Sequence, residues 1–93
     1  MDGEVVATED ELEAYMAEHE DILAAADQFE PLRDAGEVIM QVFSQDPTRL
    51  CGELLRLCHN VVQASNASGG GEEALKTVAM EATGRAEKFQ AEE

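Results

Sequence analysis

Across residues 8–28, apolar or amphipathic side chains recur at Leu12, Tyr15, Met16, His19, Ile22, Leu23 and Ala26. This i, i+3, i+4, i+7 spacing belongs to a helix with one buried stripe. Glu9, Asp10, Glu11, Glu13, Glu18, Glu20, Asp21 and Asp27 fill the intervening positions, and the segment holds no Lys or Arg. Thr8-Glu9-Asp10-Glu11 reads as a capping box, in which the Thr hydroxyl accepts from the backbone N–H three residues on and Glu11 reaches back. The pattern predicts a first helix over 8–28, with the apolar residues spanning about 120° of its circumference.

Three further helices follow from the same reading. Pro31 pushes residue 30 out of helical geometry and suits the first position of a second helix, 31–44. There Leu32, Ala35, Ile39, Val42 and Phe43 share a face. Gly36 costs that helix about 1 kcal/mol relative to Ala, and marks either a delayed start or a place where another backbone comes close. Asp46-Pro47 pairs an N-cap acid with an N1 proline and opens a third helix, 46–65. Its Leu50, Cys51, Leu54, Leu55, Leu57, Cys58, Val61 and Val62 cover about 160°, which marks this helix as the central element. Residues 66–71 are a Gly-rich linker. A last helix, 72–90, carries a narrow stripe of Leu75, Ala79, Ala82, Ala86 and Phe89 and should dock on the third. Residues 1–7 read as a weakly ordered lead-in. The expected architecture is a single all-α domain, a bundle of four helices (about 8–28, 31–44, 46–65 and 72–90) packed antiparallel, its short turns making neighbours of successive helices.

Size and charge narrow the functional classes. A chain of 93 residues buries only about 60–65% of the surface its unfolded form would expose, so its core is thin and leaves little room for a deep active site. The formal net charge is −15. Residues 1–30 hold eleven acids and no base, whereas Arg33, Arg49, Arg56, Lys76, Arg85 and Lys88 all lie further on. Such a field repels nucleic acid and anionic membrane surfaces and favours a basic protein surface. No stretch approaches the roughly 18 apolar residues of a membrane span, and Met1-Asp2-Gly3-Glu4 is acidic where a secretory signal would be basic. Cys51 and Cys58, two helical turns apart, stand roughly 10 Å from each other, beyond the ~7 Å reach of a disulfide. Free thiols fit a reducing compartment, and the expected location is the cytoplasm.

Candidate chemistry is sparse. His19 and His59 belong to no HExxH or ExxH pair, and the cysteines make no zinc pattern. The acid runs lack the order of a calcium loop. Cys58 and His59 are adjacent, but neighbouring helical residues point about 100° apart and do not face each other. The glycines at 69–71 are followed by Glu72-Glu73 rather than by the Lys of a phosphate loop. In size and charge the chain is similar to acyl carrier proteins. Their Asp-Ser-Leu attachment motif is absent, however, and Asp34-Ala35-Gly36 stands near its place. No enzyme activity, cofactor or metal is expected.

The remaining feature is the carboxylate face. Acids three or four residues apart on a helix lie about 5–6 Å from one another, while DNA places a charge every ~3.4 Å along each strand. A row of this kind resembles nucleic acid in charge. The expected function is a non-enzymatic protein-binding protein, an inhibitor or regulator that occupies a basic, nucleic-acid-binding surface of a larger protein or complex. A phage-encoded or mobile-element anti-defence protein is one setting for it. The expected partner-binding residues are Glu9, Asp10, Glu13, Glu18, Glu20, Asp21 and Asp27, on a monomer or small homo-oligomer. The alternative expectation is a structural or assembly subunit that self-associates or bridges partners through its apolar helix faces.

Overall fold

The computed structural model describes residues 6–66 and 72–92. Its elements are α1 (Glu9–Glu18), α2 (Glu20–Asp27), α3 (Glu30–Val42), α4 (Pro47–Asn66) and α5 (Glu72–Glu92). The all-α class stands, but the helices number five rather than four among the described residues. The expected helix over 8–28 is broken at His19, whose backbone lies at φ −118° and ψ 33°. Hydrogen bonding runs through the break: His19 N–H donates to the Tyr15 carbonyl at 3.1 Å, and the His19 carbonyl accepts from Leu23 at 3.0 Å. Charge gives a physical reason for the interruption. In one long helix Glu20 and Asp21 would sit mid-helix among other acids with no base at i+4. After the break they occupy the first turn of α2, where carboxylates complement the helix dipole.

The start of α1 follows its sequence signal. Thr8 Oγ1 accepts from Glu11 N–H at 3.1 Å, and Thr8 N–H donates to Glu11 Oε1 at 2.9 Å. The residues just before it are better held than a loose lead-in, since Ala7 is buried and donates its N–H to the Thr48 carbonyl at 3.1 Å. Residues 1–5 of that lead-in lie outside the described residues, as do residues 67–71 of the linker. Asn66 is helical, not linker. Helix α3 begins one residue earlier than expected, at Glu30, with Phe29 as its extended N-cap. Pro31 is tolerated inside the first turn because an N–H there has no intrahelical acceptor in any case. The same helix stops at Val42 instead of 44, and the chain turns through an Asp46 N–H to Phe43 carbonyl bond of 3.1 Å. Asp46 then caps α4, its Oδ1 accepting from Arg49 N–H at 3.3 Å and from the Thr48 hydroxyl at 3.0 Å.

Two core clusters reveal how the helices run. Ala26, Leu32, Ala35, Val61 and Ala79 gather at one end, with Leu57, Leu75 and Val78 packed on them. At the other end Ile39, Phe43 and Ala86 are joined by Leu50, Leu54 and Phe89. The start of α3, the end of α4 and the start of α5 therefore share one end, so α4 runs antiparallel to both, and α3 and α5 run parallel. Ala7 beside Thr48 and Tyr15 beside His59 set α1 and α2 along α4 in the same direction. Helix α4 touches all four others, as its wide stripe requires. Helix α5 packs most extensively on α3, not on α4 as expected. Its small residues account for this: Ala79 and Ala86 are almost wholly buried, and Ala35 of α3 is fully so, which lets the two backbones approach closely.

The lower cluster is closed by charge. Glu53 of α4 is 3% exposed and is gripped by Arg85 of α5, with Nε to Oε1 at 3.0 Å and Nη2 to Oε2 at 2.8 Å. Hydrogen bonding to Glu53 pushes the Arg85 guanidinium further above its ordinary pKa, against the opposing effect of burial. Arg49, one turn before Glu53, places its Nε 3.7 Å from Glu53 Oε2. Its guanidinium lies 4.7 Å from the Phe89 ring centre and 5.4 Å from that of Phe43. Three helices thus meet at one carboxylate and two aromatic rings.

Two stability predictions follow from these contacts. Glu53→Ala removes the carboxylate that Arg85 and Arg49 share and should cost about 2–4 kcal/mol in urea denaturation, whereas the double change Glu53→Met with Arg85→Met should recover most of that loss. A Cβ added at Gly36 or Gly84 meets nothing within 4 Å, so no backbone approaches Gly36 closely. Gly36→Ala and Gly84→Ala should each raise stability by about 0.5–1 kcal/mol in the same assay.

Candidate functional site

Helices α1–α2 and α3, running antiparallel, form two walls, and α4 supplies the floor of a groove between them. Its volume is about 760 Å³, and it opens to solvent along one side. Leu54, Leu57, Cys58 and Val61 of α4 line the floor, and Leu23, Ala26 and Leu32 line the lower walls. Higher up stand Met16 of α1 and Met40 of α3, 42% and 50% exposed. Those values are high for long apolar side chains, and both face the same depression.

The rim is acidic. Glu13, Glu20 and Asp27 stand seven residues apart along α1–α2, and Glu37 lines the opposite wall on α3. Arg33 is the basic residue of the lining, giving four carboxylates against one guanidinium. Its Nε donates to the Asp27 carbonyl oxygen at 3.3 Å. Each of three acids precedes an apolar residue by one helical turn: Glu13 before Met16, Glu20 before Leu23, and Glu37 before Met40. Positions i and i+3 share a helix face, which is how charge and apolar surface come to lie side by side.

Of the seven residues expected to bind a partner, the groove therefore brings together Glu13, Glu20 and Asp27. Glu9 and Asp10 are exposed in the first turn of α1, beyond the groove lining. Glu18 is exposed at the end of α1, with Oε1 3.4 Å from His19 Nε2. Asp21 is exposed in the first turn of α2. Sequence reasoning missed Glu37 and Met40, and placed Met16 in the buried stripe of the first helix, whereas it is exposed in the groove. The repeated acid-x-x-apolar spacing was the signal that could have found them.

Around the groove the remaining polar groups are structural. Tyr15 shares a hydrogen bond with His59 across 3.4 Å, and its ring centre lies 4.5 Å from that of His19, tying α1 to α4. Burial, with the neighbouring Cys58 and Glu18 adding to it, pushes the Tyr15 phenol above its ordinary pKa. His59 is exposed and outside the groove lining, whereas Cys58 is half-buried in the floor. Both cysteines are free thiols. Among the described residues no group of three or more His, Cys, Asp or Glu side chains is placed to hold a metal ion, and no helix is long and apolar enough to cross a membrane. A smaller cleft of about 340 Å³ between α4 and α5 contains Glu53 and Arg85, whose charges already satisfy each other.

Burial pushes the Cys58 thiol above its ordinary value of 9.0, and this gives the fold an alkaline limit. Above that pH the unfolded thiol ionises while the folded one stays protonated, so stability falls as pH rises. Urea denaturation at about pH 7 and about pH 10 should show a smaller alkaline loss for Cys58→Ala than for the parent chain.

Compared with protein-family models, with curated proteins and with solved structures, the chain matches none.

Proposed function

We propose that the chain is a non-enzymatic, acidic protein-binding protein that occupies a basic, nucleic-acid-binding surface of a larger protein or complex and thereby inhibits or regulates it. The observation that carries this reading is the alignment of Glu13, Glu20 and Asp27 on one rim, with Glu37 across from them, beside apolar side chains that the fold leaves exposed. Arg49 and Arg85 pair with Glu53, and Arg33, within the groove lining, donates to the Asp27 backbone carbonyl, so the lining keeps four carboxylates against one guanidinium. The outward acids of α1 and α2 thus present their charge to solvent, at helical spacings of about 5–6 Å. A surface evolved to grip phosphates has the Lys and Arg to meet such a row. An inhibitor of host defence carried by a phage or mobile element is a setting in which that mimicry of nucleic-acid charge would serve, and the free thiols suit the cytoplasm.

The other reading, a self-associating assembly subunit, has less support. The apolar stripe of α5 packs on α3 and α4 within the chain and is not available for a second copy.

Capture of partners from the native host at low and at high salt tests the proposal. A specific partner should be retained at low salt and released as ionic strength rises. The triple reversal of Glu13, Glu20 and Asp21 to Lys should lose it while circular dichroism still reports a folded helical chain. Retention that ignores both salt and reversal would refute the charge-driven mode.

A further inference from the structure

We propose that the groove between α1–α2 and α3 is a docking site for a basic amphipathic helix of the partner protein. The occupant sets its apolar stripe on Met16, Met40 and Leu57 and its Lys or Arg flanks against Glu13, Glu20, Asp27 and Glu37. This rests on the proposed binding to a basic partner and specifies how that binding is made.

Three properties of the groove select this occupant. The first is charge complementarity: the rim excludes phosphates, acidic peptides and anionic lipid headgroups, and favours cations. The second is apolar depth. A purely electrostatic contact needs no recess, yet here Met16 and Met40 stay exposed over a floor of leucine and valine. Methionine adapts its shape to an incoming apolar side chain, as is common at helix-binding surfaces. The third is the nature of the walls. Both are helices whose backbone groups are internally bonded, so an extended peptide lying between them would bury N–H and C=O groups without partners. A helix satisfies its own backbone and offers side chains at i, i+3, i+4 and i+7. Glu13 and Asp27 lie fourteen residues apart on two successive helices, α1 and α2, so the rim can flank a docked helix over several turns. The seven-residue interval of the rim acids repeats every two turns and matches basic residues at the same interval on the occupant.

Gly36 supplies a way to close the groove without touching its charge. It lines the recess, and a Cβ added there meets nothing within 4 Å. Gly36→Phe therefore fills the space the occupant would use and leaves every rim carboxylate in place. Met40→Lys, at an exposed position, is a second variant whose fold is not at risk.

The test is fluorescence anisotropy of the full chain with three labelled synthetic peptides of about fourteen residues. One carries Leu at i, i+3, i+4 and i+7 with Lys on the flanks, the second is its scrambled isomer of identical charge, and the third replaces each Lys with Glu. The expected result is that the amphipathic basic peptide binds at least about tenfold more tightly than the scrambled isomer, that the Glu peptide does not bind, and that Gly36→Phe and Met40→Lys each abolish the tenfold preference. Equal binding of the two basic peptides, unchanged by either variant, overturns the groove as the docking site and leaves the acidic-surface reading standing. If neither basic peptide binds, both fall. A dimer in sedimentation that Gly36→Phe disperses would assign the groove to a second copy of the chain and overturn the proposed occupant.

Discussion

Among the described residues, one buried carboxylate constrains the packing of three helices. Glu53 lies on α4, the helix that touches every other, and it is held by Arg85 from α5 while Arg49 lies against the paired rings of Phe43 and Phe89. A charge with so little solvent access is tolerable only when its partner is fixed in place. That requirement sets the register of α5 against α4 and, through Phe43, the end of α3. Apolar contacts alone would specify less, because the stripe of α5 is mostly alanine and could slide along its neighbours at small cost. The pair therefore contributes more to which packing is adopted than to how stable it is.

Helices α1 and α2 complete the bundle on the other side of α4. They lie along α4, pinned at one end by Ala7 on Thr48, midway by Tyr15 on His59, and at the far end by Ala26 in the upper core. They do not close fully against α3, and the groove is the result. Its apolar floor belongs to the same wide stripe of α4 that builds the core. One helix thus builds the core and lines the groove, with Leu57 common to both core clusters and to the groove.

Much of the helical framework was legible in the chain. Periodicity located the helices, and the Thr8 and Asp46 caps located two of their starts, because a capping hydrogen bond is local and its spacing is written in sequence. The break at His19 was not legible. The apolar spacing runs straight through it, and the competing effect, repulsion among acids with no base to offset them, leaves no periodic trace. The partnership of Glu53 with Arg85 was hidden for a different reason. The two residues are 32 positions apart, and within its own helix Glu53 looks like one half of an ordinary i, i+4 pair with Arg49. Of the candidate site, the acids of α1 and α2 could be named, but not which of them face the groove. Glu37 was passed over because it sits on a different helix, and only tertiary packing brings it opposite Glu13 and Glu20.

The crowding of acids along α1 and α2 couples ionic strength to two quantities in opposite directions. Added salt screens the repulsion among Glu9, Asp10, Glu13, Glu18, Glu20 and Asp21, so it strengthens the folded chain. The same screening weakens attraction to a basic partner. A complex of the proposed kind would gain twice at low salt, because a basic partner would supply the countercharge that the isolated chain lacks. On the proposed function, folding of this wall and binding of a cationic surface are one electrostatic equilibrium with two readouts.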